Sequence, residues 1–200
     1  MILLRSTAAL FLFRYLLISS AQDGTDEDSE SAWKFIGGEG ENMYIRKRNF
    51  DPYGNDIIRC TMAARNSTNE TAKTALYATK WFNTSEDKGY AIRSEYNTSG
   101  DVLTATQYFV VGNATMSSTN DYFFNFTDGK CAVVLMPHLD ALSFYCDRAC
   151  EMWVRDGSTD TENDKCEEVY NKTCGPDNVF LYNSSVCELL KDVHPKMSLK

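Results

Sequence analysis

Between Glu41 and Val154 the chain is a succession of short runs rich in β-branched and aromatic residues, separated by turn signals, and this spacing limits the fold more than any other feature. The runs are 42–50, closed by Asp51-Pro52-Tyr53-Gly54; 56–65; 74–82; 90–96, closed by Thr98-Ser99-Gly100-Asp101; 102–111; 121–126, closed by Thr127-Asp128-Gly129; 130–136; and 150–155. Eight strands joined mostly by hairpins predict an antiparallel up-and-down barrel, which at that size encloses room for one small ligand. A two-sheet sandwich is the rival arrangement. Beyond Trp153 the period changes. Cys166, Val169 and Tyr170 fall at i, i+3 and i+4 and predict one amphipathic helix over 159–173, stopped by Cys174-Gly175-Pro176. The expected class is all-β: an eight-stranded antiparallel barrel with a C-terminal α-helix packed on its outside.

The first residues carry an address. A basic start at Arg5, a mostly apolar stretch from Thr7 to Ile18 and the small residues Ser19-Ser20-Ala21 read as a secretory signal peptide over 1–21. An acidic tail follows over 22–31, and the folded domain is expected over 32–200. Eight Asn-x-Ser/Thr sequons, at Asn66, Asn69, Asn83, Asn97, Asn113, Asn125, Asn171 and Asn183, agree with export and predict a glycoprotein. In an oxidising compartment the seven cysteines are disulfide material rather than zinc ligands, and the odd number leaves one unpaired within the chain.

Removing Arg5 and Arg14 with the leader takes the formal charge from -8 to -10, which disfavours nucleic acid and anionic membranes as partners and suits a cationic ligand or simple solubility. No segment of the mature chain is apolar enough to span a bilayer. His138 and His194 sit in no metal-ligand or nucleophile pattern, so neither an enzyme nor a metal or cofactor is expected.

The C-terminal cysteines frame a motif. Cys131-Ala132-Val133 is followed after 17 residues by Glu151-Met152-Trp153, and after 12 more by Cys166. With Ala32-Trp33-Lys34 near the mature start and Cys174-Gly175 after the helix, the mature chain resembles the tick salivary lipocalins, the family that includes the histamine-binding proteins. The spacings match that family's amine-binding motif, with Ala132 where the motif has Asp and Met152 where it has Leu. The resemblance implies a monomeric, secreted lipocalin that sequesters a small host mediator, histamine or another biogenic amine, and so evades host inflammatory and immune responses. Relatives of this kind that capture fatty-acid mediators or bind complement proteins define the alternative. It further implies the pairs Cys60–Cys187, Cys131–Cys166 and Cys150–Cys174, with Cys146 left over.

An amine mediator is an ammonium joined to an aromatic ring, so its pocket needs a shielded carboxylate and ring faces. Glu151 and Trp153 lie two apart on one strand and offer both, with Met152 and Val154 then facing the helix; the plainer alternative has Trp153 as core and Glu151 in solvent. On this reading, supplying the missing motif carboxylate through Ala132→Asp should strengthen amine binding. The resemblance adds Asp51 and Tyr53 in a mouth segment and Asp101 before Thr104-Ala105 as secondary contacts, although Asp beside Pro or Gly is also ordinary turn chemistry. If Asn125 faces outward, Tyr122, Phe124 and Phe126 face the lumen as an aromatic wall or as filling. Trp33 is expected to plug the closed end. A lipid ligand would instead need lumen-facing cations, for which Arg46, Arg48, Arg59 and Arg93 are available on strands.

Overall fold

The computed structural model describes residues 31–52, 57–144, 147–159 and 164–195. The proposed leader, the acidic tail apart from Ser31, Tyr53 and Cys146 lie outside the described residues.

The eight expected strands form, in the expected order: β1 (Asn42–Arg48), β2 (Ile58–Asn69), β3 (Thr74–Asn83), β4 (Lys88–Ser99), β5 (Val102–Val111), β6 (Ala114–Thr127), β7 (Cys131–Leu135) and β8 (Cys150–Arg155). Each pairs antiparallel with its sequence neighbour, and β1 pairs with both β8 and β2, so Tyr44 faces Val154 on one side and Met62 on the other. That double pairing closes the barrel and removes its edges. A two-residue strand, β9 (Val179–Phe180), extends the sheet beside Lys47 and Arg48.

Three strands run well beyond the sequence pattern. Asn66-Ser67-Thr68-Asn69 extends β2, Asn97-Thr98-Ser99 extends β4 and 114–120 extends β6, although Ser, Thr and Asn there read as turn residues. Pairing overrides composition. Facing hydroxyls bond across β5 and β6, as between Thr106 and Thr119 at 3.0 Å, and Thr104 donates to Asp121 at 2.6 Å.

The alternation of β6 is also broken. A register shift between Phe124 and Phe126 leaves Tyr122 and Phe124 in the barrel interior but turns Phe126 outward onto the helical side, against the expectation that all three line the lumen. Asn125 is exposed, as parity required, and donates to Thr173 Oγ1.

A short helix, α1 (Ser31–Ile36), precedes the barrel and was not expected from the sequence. It carries Trp33, Phe35 and Ile36 into one end of the barrel, where they pack with Tyr77, Phe124 and Trp153. Gly37 is required behind it, because a Cβ there would sit 2.4 Å from the Trp33 ring. The plug is held by Arg155, buried at the end of β8, which donates to the carbonyls of Phe35, Ile36 and Gly40 and to the Tyr77 hydroxyl. Satisfying most of its donors on backbone carbonyls makes this buried cation tolerable.

Outside the barrel, α2 (Asp164–Cys174) lays Cys166, Val169 and Tyr170 over Met152 and Val154, the outward parity expected of those β8 residues. Two disulfides, Cys131–Cys166 and Cys150–Cys174, run through that layer. The third, Cys60–Cys187, ties β2 to α3 (Ser184–Glu188), where Phe82, Met62 and Leu190 form a separate small core. All three pairs match those the resemblance implied. Cross-links that close loops of 127, 35 and 24 residues restrict the unfolded chain and stabilise the barrel against it.

Candidate ligand site

With one end plugged, the other end is the mouth. There the ends of β1, β3, β5 and β7 meet the starts of β2, β4, β6 and β8. A 3-10 turn over Pro137–Leu142 lies beside it. Below the rim is a cavity of about 230 Å³. Its walls are apolar, from Ile45, Phe50, Ile58, Ile92, Met136 and Leu139, with Trp81 as a large ring face stacked on Tyr90 at 5.6 Å between centroids. Its polar lining is Thr61, Thr79, Gln107, Arg48 and Glu151.

Glu151 is the decisive group. It lies on β8 between Val134 of β7 and Arg48 of β1, is only 4% exposed, and accepts from Trp153 Nε1 at 2.7 Å through Oε2. Burial pushes its carboxyl up to about 7, against the opposing pull of the Arg48 guanidinium and the Trp153 N–H. A carboxyl so placed charges near neutral pH and, once ionised, has a strong demand for a cation. Near it, Tyr96 is pushed up to about 12 by burial, and its hydroxyl joins Thr79 and Ser94 in a bonded cluster. Tyr122 is raised by the same cause, so both phenols stay neutral donors at physiological pH.

Arg48 faces Glu151 across the β1–β8 pairing. It is 5% exposed, lies over the Phe50 ring at 5.2 Å, and reaches Asp51 Oδ1 at 3.3 Å through Nη2. Its Nε is buried without a partner.

The expected residues therefore separate. Glu151 lines the cavity, and Asp51 reaches it through Arg48. Trp153 is in the interior, as expected, but it is not the open ring face: it packs among Phe35, Tyr122 and Phe124, with centroids at 6.2, 6.0 and 5.8 Å, and orients the carboxylate with its N–H. Tyr122 and Phe124 thus back Trp153 and do not line the cavity. Asp101 is exposed in the β4–β5 turn at the plugged end, where Ala32 donates to the Gly100 carbonyl, and so stands apart from the cavity. Ala132, the position of the missing motif carboxylate, is fully buried opposite Trp153 in the packed half of the interior.

Sequence reasoning missed Trp81, Phe50 and Gln107 as lining residues. It named Arg48 only as one of four cations for a lipid. Of those four, Arg48 alone lines the cavity; Arg46 turns outward to the Thr159 carbonyl and Glu167, Arg93 pairs with Glu95 over Tyr108, and Arg59 donates to the Ile58 carbonyl. The register shift between Ile45 and Lys47 separates Arg46 from Arg48. Seven of the eight sequon asparagines are exposed, but Asn83 is buried, its amide bonded to Glu86, Ser85 and the turn backbone.

A family model described as tick histamine binding protein matches residues 20–188. The chain belongs to the tick histamine-binding protein family. No curated protein matches it in sequence. Among solved structures it is similar to a protein described as AM182 in complex with serotonin, at 15% identity and a TM-score of 0.54 over 78% of this chain and 92% of that one. A biogenic amine-binding protein gives 13% identity and a TM-score of 0.54, over 84% and 96%. These likenesses carry the fold: a lipocalin-type barrel, closed, eight-stranded and antiparallel, with a C-terminal helix. The family and the fold are those of small-molecule binding proteins. In this histamine-binding family member the motif Glu and Trp form a bonded pair, with only the Glu open to the cavity.

Proposed function

We propose that the protein is a secreted, glycosylated, monomeric lipocalin that captures a biogenic amine of the host and so blunts inflammation and immune responses. The observation that carries this reading is the buried Glu151 carboxylate at the wall of an otherwise mostly apolar cavity. Among the described lining residues Arg48 is the cation that faces Glu151, and Asp51 shares that guanidinium through Nη2, so an ionised Glu151 has room for a ligand ammonium as a further counter-ion. Trp81 and Phe50 supply ring faces for the aromatic part of the ligand. The volume, about 230 Å³, falls below the roughly 300–1,000 Å³ typical of drug-sized ligands and suits an arylethylamine better than a long acyl chain. Capture is stoichiometric and involves no chemical step.

Isothermal titration of the secreted protein with histamine, serotonin and a leukotriene, at pH 8 and pH 5.5, tests it. Amine affinity should be full at pH 8 and weaken by up to about tenfold per pH unit below 7, because binding then requires Glu151 to lose a proton. An unperturbed Glu would not weaken binding until roughly pH 4–5. Absence of amine binding at pH 8, or leukotriene binding alone, refutes the reading.

A further inference from the structure

We infer that Gln107 is a specificity-determining residue of the cavity, and that it selects amines whose ring carries a hydrogen-bonding group, a hydroxyl or a ring nitrogen, on the edge remote from the ammonium side chain. This rests on the amine reading of the same cavity and adds how the far end of the ligand is recognised. The strand itself turns Gln107 inward. Its neighbours on β5 bond on the outer face, Thr106 with Thr119 and the Tyr108 hydroxyl with Glu95, whereas Leu103 and Ala105 lie in the core. Two-residue alternation therefore points Gln107 into the barrel, where it lines the cavity. It is half-buried, and its amide is not among the sealed polar groups, so a ligand can reach it.

Most polar groups of the cavity are already engaged: Glu151 accepts from Trp153, Arg48 reaches Asp51, and Thr79 bonds with Ser94 and Tyr96. The Thr61 hydroxyl and the Gln107 carboxamide make no hydrogen bond among the described residues. Thr61 pairs with Trp81 across β2 and β3 and so sits beside that ring face. Gln107 sits beyond it. In the closed barrel β5 lies three strands from β8 by way of β6 and β7, so Gln107 and Glu151 stand on nearly opposite walls, and β3 with Trp81 lies on the other arc between them. An amine held at Glu151 with its ring over Trp81 points the remote edge of that ring at Gln107. A carboxamide both donates and accepts, so it answers a phenol or an imidazole nitrogen alike. A ring with no polar group would displace water from that amide and put nothing in its place.

Matched ligand pairs test this on the wild-type secreted protein by calorimetry at pH 8: tyramine against phenethylamine, and serotonin against tryptamine. Members of each pair differ only by one ring hydroxyl. A wall with no partner for that hydroxyl would favour the less polar member. With Gln107 as its partner the hydroxylated member is expected to bind roughly threefold to tenfold more tightly, the range of one neutral hydrogen bond. In Gln107→Met, which keeps the length of the side chain and removes the amide, the ratio should fall to one or below. Equal affinities within both wild-type pairs, or tighter binding of the less polar members, overturn this inference and leave amine capture intact. A ratio unchanged in Gln107→Met does the same. Failure of all four amines, together with histamine, overturns both. If Gln107→Met does not fold, the wild-type ratios decide alone.

Discussion

Replacing Glu151 by Gln should stabilise the protein while removing its amine affinity. The carboxyl stands at about 7 in the folded protein, against 4.5 for an unperturbed glutamate, and desolvation is the main cause. A raised carboxyl binds its proton more tightly in the folded state than in the unfolded chain. The linked stability is therefore fully present below pH 4.5, declines as pH rises, and is gone above about pH 7. At about 1.4 kcal/mol per pH unit, the gap comes to about 3 kcal/mol. Gln is neutral throughout, has the same shape, and its carbonyl oxygen still accepts from Trp153 Nε1. Its amide protons and the loss of a countercharge for Arg48 subtract from the gain. At pH 8, without ligand, Glu151→Gln should melt up to roughly 6–12 °C higher than wild type, from about 2–4 °C per kcal/mol for a chain of this size. At pH 4 the two should nearly coincide. Thermal melts followed by circular dichroism at pH 4, 6 and 8 provide the comparison, in which the other titrating groups largely cancel. A wild type–variant difference that stays constant from pH 4 to pH 8 would show that Glu151 is not desolvated, and the account of the site would fail with it.

Other consequences can be checked directly. Ala132→Asp, which the family motif would favour, should not improve amine binding; it forces a carboxylate into the packed interior against Trp153, costing about 2–5 kcal/mol and visible as a lowered melting temperature. Trp153→Phe keeps most of the ring but removes the N–H that lowers the Glu151 pKa, so the midpoint of the amine-affinity curve should move above pH 7; a midpoint that stays put or falls would refute the orienting role. Mass spectrometry of glycopeptides from secreted protein should find Asn83 unmodified, because its amide is engaged in the β3–β4 turn, whereas sugar at Asn83 would contradict that turn.

The barrel was legible because its signals are local. Strand runs, turn residues and the helical spacing of Cys166, Val169 and Tyr170 each depend on neighbours within a few positions, and all eight strands formed where such runs occur. The failures were also local in origin. The polar stretches of β2 and β6 form strands only because a partner strand lies beside them, and α1 is helical over a segment too short to announce itself. Phe126 was misplaced because one register shift reverses every side chain beyond it.

The motif by itself determined that a carboxylate and an indole would stand on one strand, facing the same way, with cysteines at fixed positions around them. Only the tertiary structure decided what those groups do. Closure of β1 against β8 set Arg48 opposite Glu151, the α1 plug filled the half of the interior where Trp153 lies, and Trp81 and Phe50 arrived from distant strands as the open ring faces. A sequence fixes the parity of a side chain along its own strand through backbone geometry. Its desolvation, its charge partners and the space left beside it are set by chain segments far away in sequence, and for a buried carboxylate those terms determine whether it can hold a cation.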